Sequence, residues 1–245
     1  LFWNDGTGGS LFVTAGATIE DRKGGTLEDE VLGATGAAYR EALHTRRWDA
    51  GALWQTLWSG RYVASVRAAF SRTSHDHTFG EIAEDDSHGT AFGEFAVRGS
   101  AGAHTWVAGA AIEHDRYESK TLSRFDHSFT IPGVFVQDDV VVADWLSLSG
   151  SARFDHHSEY GSFFSPRLAA FFHSGSWTSR ISAGTGFFGP SALTEETEAA
   201  GLSRLVIPQS LVAERGSSLS MDISRTQGAL SYTATLFASR VGDPI

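Results

Sequence analysis

The feature of this sequence that most constrains its fold is an alternation of apolar and polar residues with a period of two. In "WLSLSGSARFD", Leu146, Leu148 and Phe154 fall on one side of an extended chain, while Ser, Arg and Asp residues fall on the other. The segments "LFVTAGATIE" and "SLSMDIS" repeat the pattern. Because successive side chains of a β-strand point to opposite faces, the pattern predicts strands with one apolar face and one polar face.

The same period, followed along the whole chain, predicts about eleven strands. They lie near residues 10–20, 47–57, 62–74, 88–99, 104–116, 131–142, 145–156, 163–173, 177–188, 214–225 and 229–241. A content of 27 Gly against 5 Pro is typical of many strands joined by turns. The sequence therefore predicts an all-β, antiparallel, up-and-down sheet.

The connections between these predicted strands alternate in length. The short ones are "SGR", "GSAGAH", "AD", "SGS" and "TQG". The long or polar ones fall near residues 21–46, 75–87, 117–130, 157–162 and 189–213. Because alternate connections of an antiparallel meander lie at the same end of the sheet, one end is predicted to carry all the long connections.

Aromatic residues mark the other end. Tyr62, Trp106, Trp145 and Trp177 each follow a short connection within about two residues. Amphipathic rings collected at one level are typical of the girdle of a membrane protein at the membrane–water interface. Predicted strands of about 10 to 13 residues also match the thickness of a bilayer. We therefore predict a transmembrane β-barrel wall with a membrane girdle at these four residues.

A soluble antiparallel sandwich is the alternative fold, and it would show the same alternation of residues. It predicts neither the asymmetry in connection length nor the aromatic residues at one end. Helical membrane spans are excluded, because the longest apolar run is about five residues and a span needs roughly 20.

Composition excludes several classes of function. A formal net charge of −10 argues against nucleic acid as a partner, because a phosphate backbone attracts a basic surface. The chain contains no Cys, which excludes disulfides and sites built on thiolate ligands. No nucleophile–base motif is present, so we predict neither an enzyme nor a bound cofactor.

Two local patterns resemble binding motifs. Gly184, Gly186 and Gly189 form G-x-G-x-x-G, but the strand before them has a polar face and is paired in a hairpin. A dinucleotide site needs a buried parallel strand followed by a helix, so we interpret the match as chance. The short helix that could follow, near residues 191–200, begins with carboxylates that would repel a phosphate.

"HDH" at 75–77 and "DHH" at 155–157 offer metal-ligand types, and Glu81, Glu84, Asp85 and Asp86 form an acidic run. Each histidine cluster lacks a third fixed ligand. We therefore expect all three to be polar strand ends or loops in contact with water, and we predict no metal site.

Charged residues on the polar strand faces are expected to line the lumen of a barrel. There they would pair with one another or contact an internal domain or a ligand. These candidate ligand-binding residues are Arg67, Arg98, Glu113, Arg153, Asp155 and Arg180.

Three local motifs occur between residues 165 and 214: Ser-Pro-Arg on a predicted strand, a Gly-Phe exit with a following Pro after the next strand, and a Pro and Leu element followed by Glu. Their residues are Ser165, Pro166, Arg167, Gly186, Phe187, Pro190, Pro208, Leu211 and Glu214. With these motifs, the region from 131 to 245 resembles the middle of the barrel of TonB-dependent outer-membrane receptors, which carry a Ser-Pro-Arg strand, a Gly-Phe-Arg-Ala-Pro-like exit and an Asn-Pro-x-Leu-like loop element followed by Glu. Residues 8–116 resemble that barrel more loosely. Three positions depart from the family pattern: Phe188 and Gly189 stand in place of Arg and Ala, and Ile207 in place of Asn.

The resemblance implies a location in the outer membrane of a Gram-negative bacterium and lipid as the surrounding partner. It also implies energy-coupled nutrient uptake through the TonB protein, which contacts a segment ahead of an N-terminal plug. Members of the family have about 22 strands, so residues 1–245 are expected to be a partial barrel without the plug domain or the C-terminal strands. A passive porin-like channel is the runner-up function, and a soluble β-sandwich binding module is a third, less favoured alternative.

Cargo is expected to be an iron–siderophore complex or another small organic ligand. Heme is disfavoured because residues 191–207 contain no His to serve as an axial ligand. The long connections are acidic, which disfavours strongly anionic cargo.

Overall fold

The computed structural model describes residues 1–26, 39–192, 201–206 and 211–243. They form one sheet in which every strand pairs antiparallel with the next strand along the chain. The strands are β1 (Phe2–Asn4), β2 (Ser10–Gly25), β3 (Arg40–Trp58), β4 (Tyr62–Phe79), β5 (Ile82–Ala101), β6 (His104–Ser119), β7 (His127–Ala143), β8 (Leu146–His157), β9 (Gly161–Ser174), β10 (Trp177–Phe188), β11 (Glu214–Gln227) and β12 (Leu230–Gly242). Two 3₁₀ helices, Ser123–Phe125 and Leu202–Arg204, lie in the connections.

The predicted up-and-down antiparallel fold is confirmed, and all eleven predicted strands are present as β2 to β12. The prediction missed β1, whose three residues are too few to show a period. Within the described residues, no helix is long and apolar enough to cross a bilayer.

The register gives the sheet an apolar face and a polar face. Cross-strand partners share a face, and apolar residues such as Ala64 and Val97, or Leu148 and Ala170, stand directly opposite each other. Three residues further along β4, Arg67 stands opposite Glu94 on the other side of the sheet. We call these sides the apolar face and the polar face.

The apolar face is apolar over only part of each strand. On β3 its even-numbered residues are apolar or Thr from residue 48 to residue 58, and Arg46 and His44 follow on the same side. Eleven residues tilted by about 45° span roughly 25 Å, the height of the apolar band of an outer-membrane barrel. We call this part of the sheet the apolar band.

The two ends of the sheet differ. At one end, the turn end, connections are short, as at residues 102–103, 144–145 and 175–176. At the other, the long end, connections cover 26–39, 80–81, 120–126, 158–160 and 189–213. The predicted asymmetry is therefore present in part, because two of the long-end connections are also short.

The prediction of a long connection at 75–87 was wrong. Strands β4 and β5 continue through this segment and meet at a two-residue turn, 80–81, where Gly80 has a φ of +65°. The prediction failed because "RTSHDHTF" is polar on both faces beyond the apolar band, while the backbone ladder needs no apolar side chains. The connection predicted at 157–162 likewise shrinks to 158–160.

Candidate functional site

The polar face at the long end is covered by residues folded back from the connections. Tyr117 on β6, Phe125 in the connection 120–126 and Leu202 in the segment 201–206 pack together as a buried cluster. Leu122, Ala192 and Leu205 pack against it. The long end therefore has a second layer of chain inside the wall, and we call residues 201–206 the inner segment.

Glu84 on β5 holds the inner segment against the wall. Its carboxylate accepts hydrogen bonds from the backbone N–H groups of Leu202 and Ser203, each at 2.9 Å. Glu84 is only 5% exposed. Gly201 precedes these groups with a φ of +84°, and a Cβ there would lie 2.6 Å from the ring of Phe79. The close approach and the backbone conformation both require glycine at this position.

A row of aromatic and imidazole rings runs along the polar face beside this contact. The ring centroids are 5.7 Å apart for Tyr117 and His127, 4.6 Å for His127 and Phe129, and 4.8 Å for Phe129 and His157. Tyr160 continues the row at 4.7 Å from His157. Tyr117, His127 and Phe129 are stacked, whereas the contacts of His157 with Phe129 and Tyr160 are tilted. The row lies where β6, β7 and β8 leave the apolar band.

Tyr160 ties the connection 189–213 to this row. Its hydroxyl donates a hydrogen bond of 2.6 Å to the carbonyl oxygen of Pro190. Burial raises the pKa of the Tyr160 phenol, and the carboxylate of Glu159 adds to this effect. The phenol therefore remains a neutral donor at physiological pH.

Three side chains from neighbouring strands converge beside the row, and we call them the histidine cluster: His88, Asp115 and His127. The Nε2 atoms of His88 and His127 each lie 2.8 Å from a different oxygen of Asp115. On each of their strands, all three residues lie toward the long end from the continuous apolar run of the apolar face, which ends at Ala91, Ile112 and Pro132. Sequence reasoning missed this cluster, because its members are far apart in the chain.

The two histidine motifs singled out from the sequence are not free strand ends. His75 contacts Asp86 across the β4–β5 ladder at 3.0 Å, and His77 is buried. Asp155 and His157 are also buried. The expectation of solvated segments was wrong here, because the second layer covers the polar face at the long end.

The acidic run at residues 81–86 is also mostly part of a strand. Glu84, Asp85 and Asp86 belong to β5 rather than to a loop, and only Glu81 lies in the turn. Glu84 is buried, so the expectation of a solvated loop was wrong for this residue.

All six predicted lumenal residues share the polar face. Arg67 pairs with Glu94, and Arg153 donates to Asp155 at 2.8 and 2.9 Å. Within the described residues the remaining three are exposed and form no side-chain hydrogen bond or ion pair; they are Arg98, Glu113 and Arg180. A ligand-binding role for the six stays a prediction, and the unpaired three are its best candidates.

The predicted girdle residues lie at the turn end. Tyr62, Trp106 and Trp177 belong to the apolar face, and Trp145 lies in the turn before β8. Tyr62 contacts both Trp58 and Trp106, with ring centroids 6.1 and 5.8 Å apart.

The residues that carry the family resemblance lie on three strands. Ser165, Pro166 and Arg167 are in β9, Gly186 and Phe187 end β10, and Pro190 is fully buried after it. Leu211 precedes β11, and Glu214 begins it. Pro208 lies outside the described residues, as do most of the helix expected at 191–200 and most of the acidic residues of the long connections.

The G-x-G-x-x-G match has no dinucleotide geometry. Gly184 and Gly186 lie inside β10, which is antiparallel to both of its neighbours, β9 and β11. Gly189 instead allows the chain to pass His157, because a Cβ there would lie 2.7 Å from Nε2 of that ring.

The sequence of this chain matches a known protein family. The family model described as "TonB dependent receptor-like, beta-barrel" matches residues 3–245. The chain therefore belongs to the TonB-dependent receptor β-barrel family, whose members are outer-membrane proteins of Gram-negative bacteria. A search of curated proteins finds no match.

Solved structures show the same fold at low identity. The siderophore receptor PirA from Pseudomonas aeruginosa is 16% identical with a TM-score of 0.71, over 98% of this chain and 44% of that one. The FrpB iron transporter from Neisseria meningitidis (F3-3 variant) is 12% identical with a TM-score of 0.74, over 99% and 43%. The copper transporter OprC is 12% identical with a TM-score of 0.69, over 98% and 44%. The chain thus spans less than half the length of these neighbours.

Proposed function

We propose that the full-length protein takes up a scarce nutrient across the outer membrane by energy-coupled transport, with TonB as the coupling partner. The cargo we favour is an iron–siderophore complex or another small organic ligand. The observation that carries this proposal is that the receptor family model matches residues 3–245. The same residues form a sheet with an apolar band and a polar face, as the wall of a receptor barrel requires.

The polar face supports a ligand of this kind. Phe129 and Tyr160 are partly exposed rings at the long end, where they could contact an aromatic or conjugated ligand. Nearer the turn end of the same face, Arg98 and Arg180 offer unpaired positive charges that could attract oxygen donors of a ligand.

The argument against heme as cargo rests only on the absence of histidine from residues 191–207. His127 and His157 lie on the polar face at the same end of the sheet, so histidines are present near that connection. Heme therefore remains an arm of the cargo experiment.

A passive channel is the second candidate, because a polar inner face also suits a water-filled pore. Energy dependence separates the two. Uptake of a radiolabelled ferric siderophore by a strain carrying the gene, compared with its deletion strain, should stop when a protonophore collapses the proton gradient. Uptake that continues unchanged would contradict the energy-coupled proposal and favour the channel.

Cargo class is tested by growth of the deletion strain under iron limitation. Ferric siderophores, heme and small carbon sources are supplied one at a time, and a growth defect is expected with a siderophore or another small organic nutrient. A defect seen with heme alone would overturn the proposed cargo while leaving energy-coupled uptake intact.

A further inference from the structure

Both ring nitrogens of His127 face acceptor atoms. Its Nδ1 lies 3.2 Å from the carbonyl oxygen of Phe125, and its Nε2 lies 2.8 Å from an oxygen of Asp115. A neutral imidazole carries a single N–H, so it can donate to only one of these two partners. In the tautomer whose Nδ1 donates to Phe125, the lone pair of Nε2 faces the Asp115 carboxylate. Both atoms would then be ligands for a metal ion.

The rest of the histidine cluster favours the metal ion. His88 places its Nε2 2.8 Å from the second oxygen of Asp115. One possible ligand atom from each of the three residues lies within 4.8 Å of the other two. Two imidazoles and one carboxylate are a donor set that first-row transition metals bind.

The backbone holds these ligands in place before any ion binds. In the antiparallel ladder His88 stands opposite Tyr117, and Tyr117 stands opposite His127, with Asp115 two residues along β6 on the same face. The Phe125 carbonyl fixes the ring of His127 with Nε2 directed at Asp115. A backbone carbonyl on the far nitrogen is the usual outer partner of a metal-binding histidine.

Exposure leaves a path for the ion. The side chain of His88 is 34% exposed, against 22% for Asp115 and 10% for His127. An ion can enter past His88 and keep at least one coordination position open toward the interior.

We propose that His88, Asp115 and His127 bind one divalent first-row transition metal ion on the polar face, with Zn²⁺ as the probe. The ion would link β5, β6 and β7 with the connection that contains Phe125. This proposal concerns a site in the wall, and it stands or fails independently of which cargo is transported.

The test is calorimetric titration of Zn²⁺ into the full-length receptor, purified in detergent and stripped with EDTA. The wild type is expected to bind one more Zn²⁺ per chain than Asp115→Asn. His127→Ala and His88→Gln are expected to weaken that site at least about 100-fold, since changes to outer partners alone cost 10- to 100-fold. Mg²⁺ is expected not to bind, because it prefers oxygen ligands.

His104→Gln is the matched control. His104 pairs with Asp138 at 2.7 Å near the turn end, without a second imidazole. It should leave the stoichiometry unchanged. Equal Zn²⁺ binding by the wild type and Asp115→Asn, or equal loss in His104→Gln, would overturn the proposal. Because His88 is the most exposed ligand, His88→Gln carries the test if the other variants do not fold.

Discussion

Strands β3 to β5 and strands β8 to β10 cross the same apolar band but differ in length. The first group has 19, 18 and 20 residues, and the second has 12, 14 and 12. At about 3.3 Å per residue and a tilt of roughly 45°, the longest strand rises ~47 Å and the shortest ~28 Å. The short strands are thus about as tall as a bilayer core, while the long ones extend well beyond it.

The part of a long strand inside the apolar band and the part beyond it meet different requirements. Inside the band, the apolar face must match lipid, and its composition is set by the membrane. Beyond the band, both faces are free to carry ionisable groups, as at the pairs His44–Asp21 on one face and His75–Asp86 on the other. The extended wall also supplies Glu84, which holds the inner segment. Ionisable groups on both faces of the sheet therefore occur where the long strands extend beyond the apolar band.

The largest effect is expected from a charge placed in the band. Leu168 lies on the apolar face of β9 and is 69% exposed, as a lipid-facing residue would be. Leu168→Arg should destabilise the full-length protein by about 2–4 kcal/mol. Ser74→Arg, on the same side of β4 but beyond the band, should cost less than about 1 kcal/mol. Urea unfolding in lipid vesicles measures both, and equal costs would contradict the placement of the band.

Removing the contact between the extended wall and the inner segment should have the next largest effect. Glu84→Ala leaves the buried N–H of Leu202 and the partly buried N–H of Ser203 without this acceptor, which costs about 2–4 kcal/mol of local stability. Hydrogen exchange measured by mass spectrometry should then speed up in peptides that contain Leu202 and Ser203. Glu81→Ala in the neighbouring turn removes the same charge without this contact, and the same acceleration there would refute the role of Glu84.

A smaller effect is expected among the short strands. Gly189→Ala would push a Cβ to within 2.7 Å of His157, whose Nδ1 already accepts hydrogen bonds from the N–H groups of Glu159 and Tyr160. The overpacking should cost about 1–3 kcal/mol in thermal or urea unfolding. Gly186→Ala has open space and should change stability by no more than about 1 kcal/mol. If the two variants are equally stable, the close contact at Gly189 does not exist.

The sequence predicted the strands well inside the band and poorly beyond it. "WLSLSGSARFD" must alternate because one side meets lipid and the other does not, so its period is visible. Residues 75–79 lie beyond the band, and nothing in their pattern distinguishes a strand from a loop. Only the hydrogen-bonded ladder to β3 and β5 makes them a strand.

The histidine cluster was invisible for a different reason. Its residues are brought together by register, which depends on the exact turn positions. Counting outward from the turn at 102–103 places His88 opposite Tyr117, and this step could have been made from the sequence. The next step to His127 requires the true length of the connection 120–126, which the sequence overestimated as 117–130.

The central claim is that this sheet is part of the wall of an outer-membrane barrel. Because such barrels have short periplasmic turns and longer outer loops, we expect the turn end to face the periplasm and the long end to face outward. This chain contains no Cys, so single substitutions at Glu81 in the β4–β5 turn and at Ser176 in the β9–β10 turn give one label site each within it. A membrane-impermeant thiol reagent applied to intact cells expressing the full-length protein should label Glu81→Cys at once. It should label Ser176→Cys only after the outer membrane is permeabilised. Immediate labelling of Ser176→Cys with none at Glu81→Cys would reverse the orientation and contradict the account.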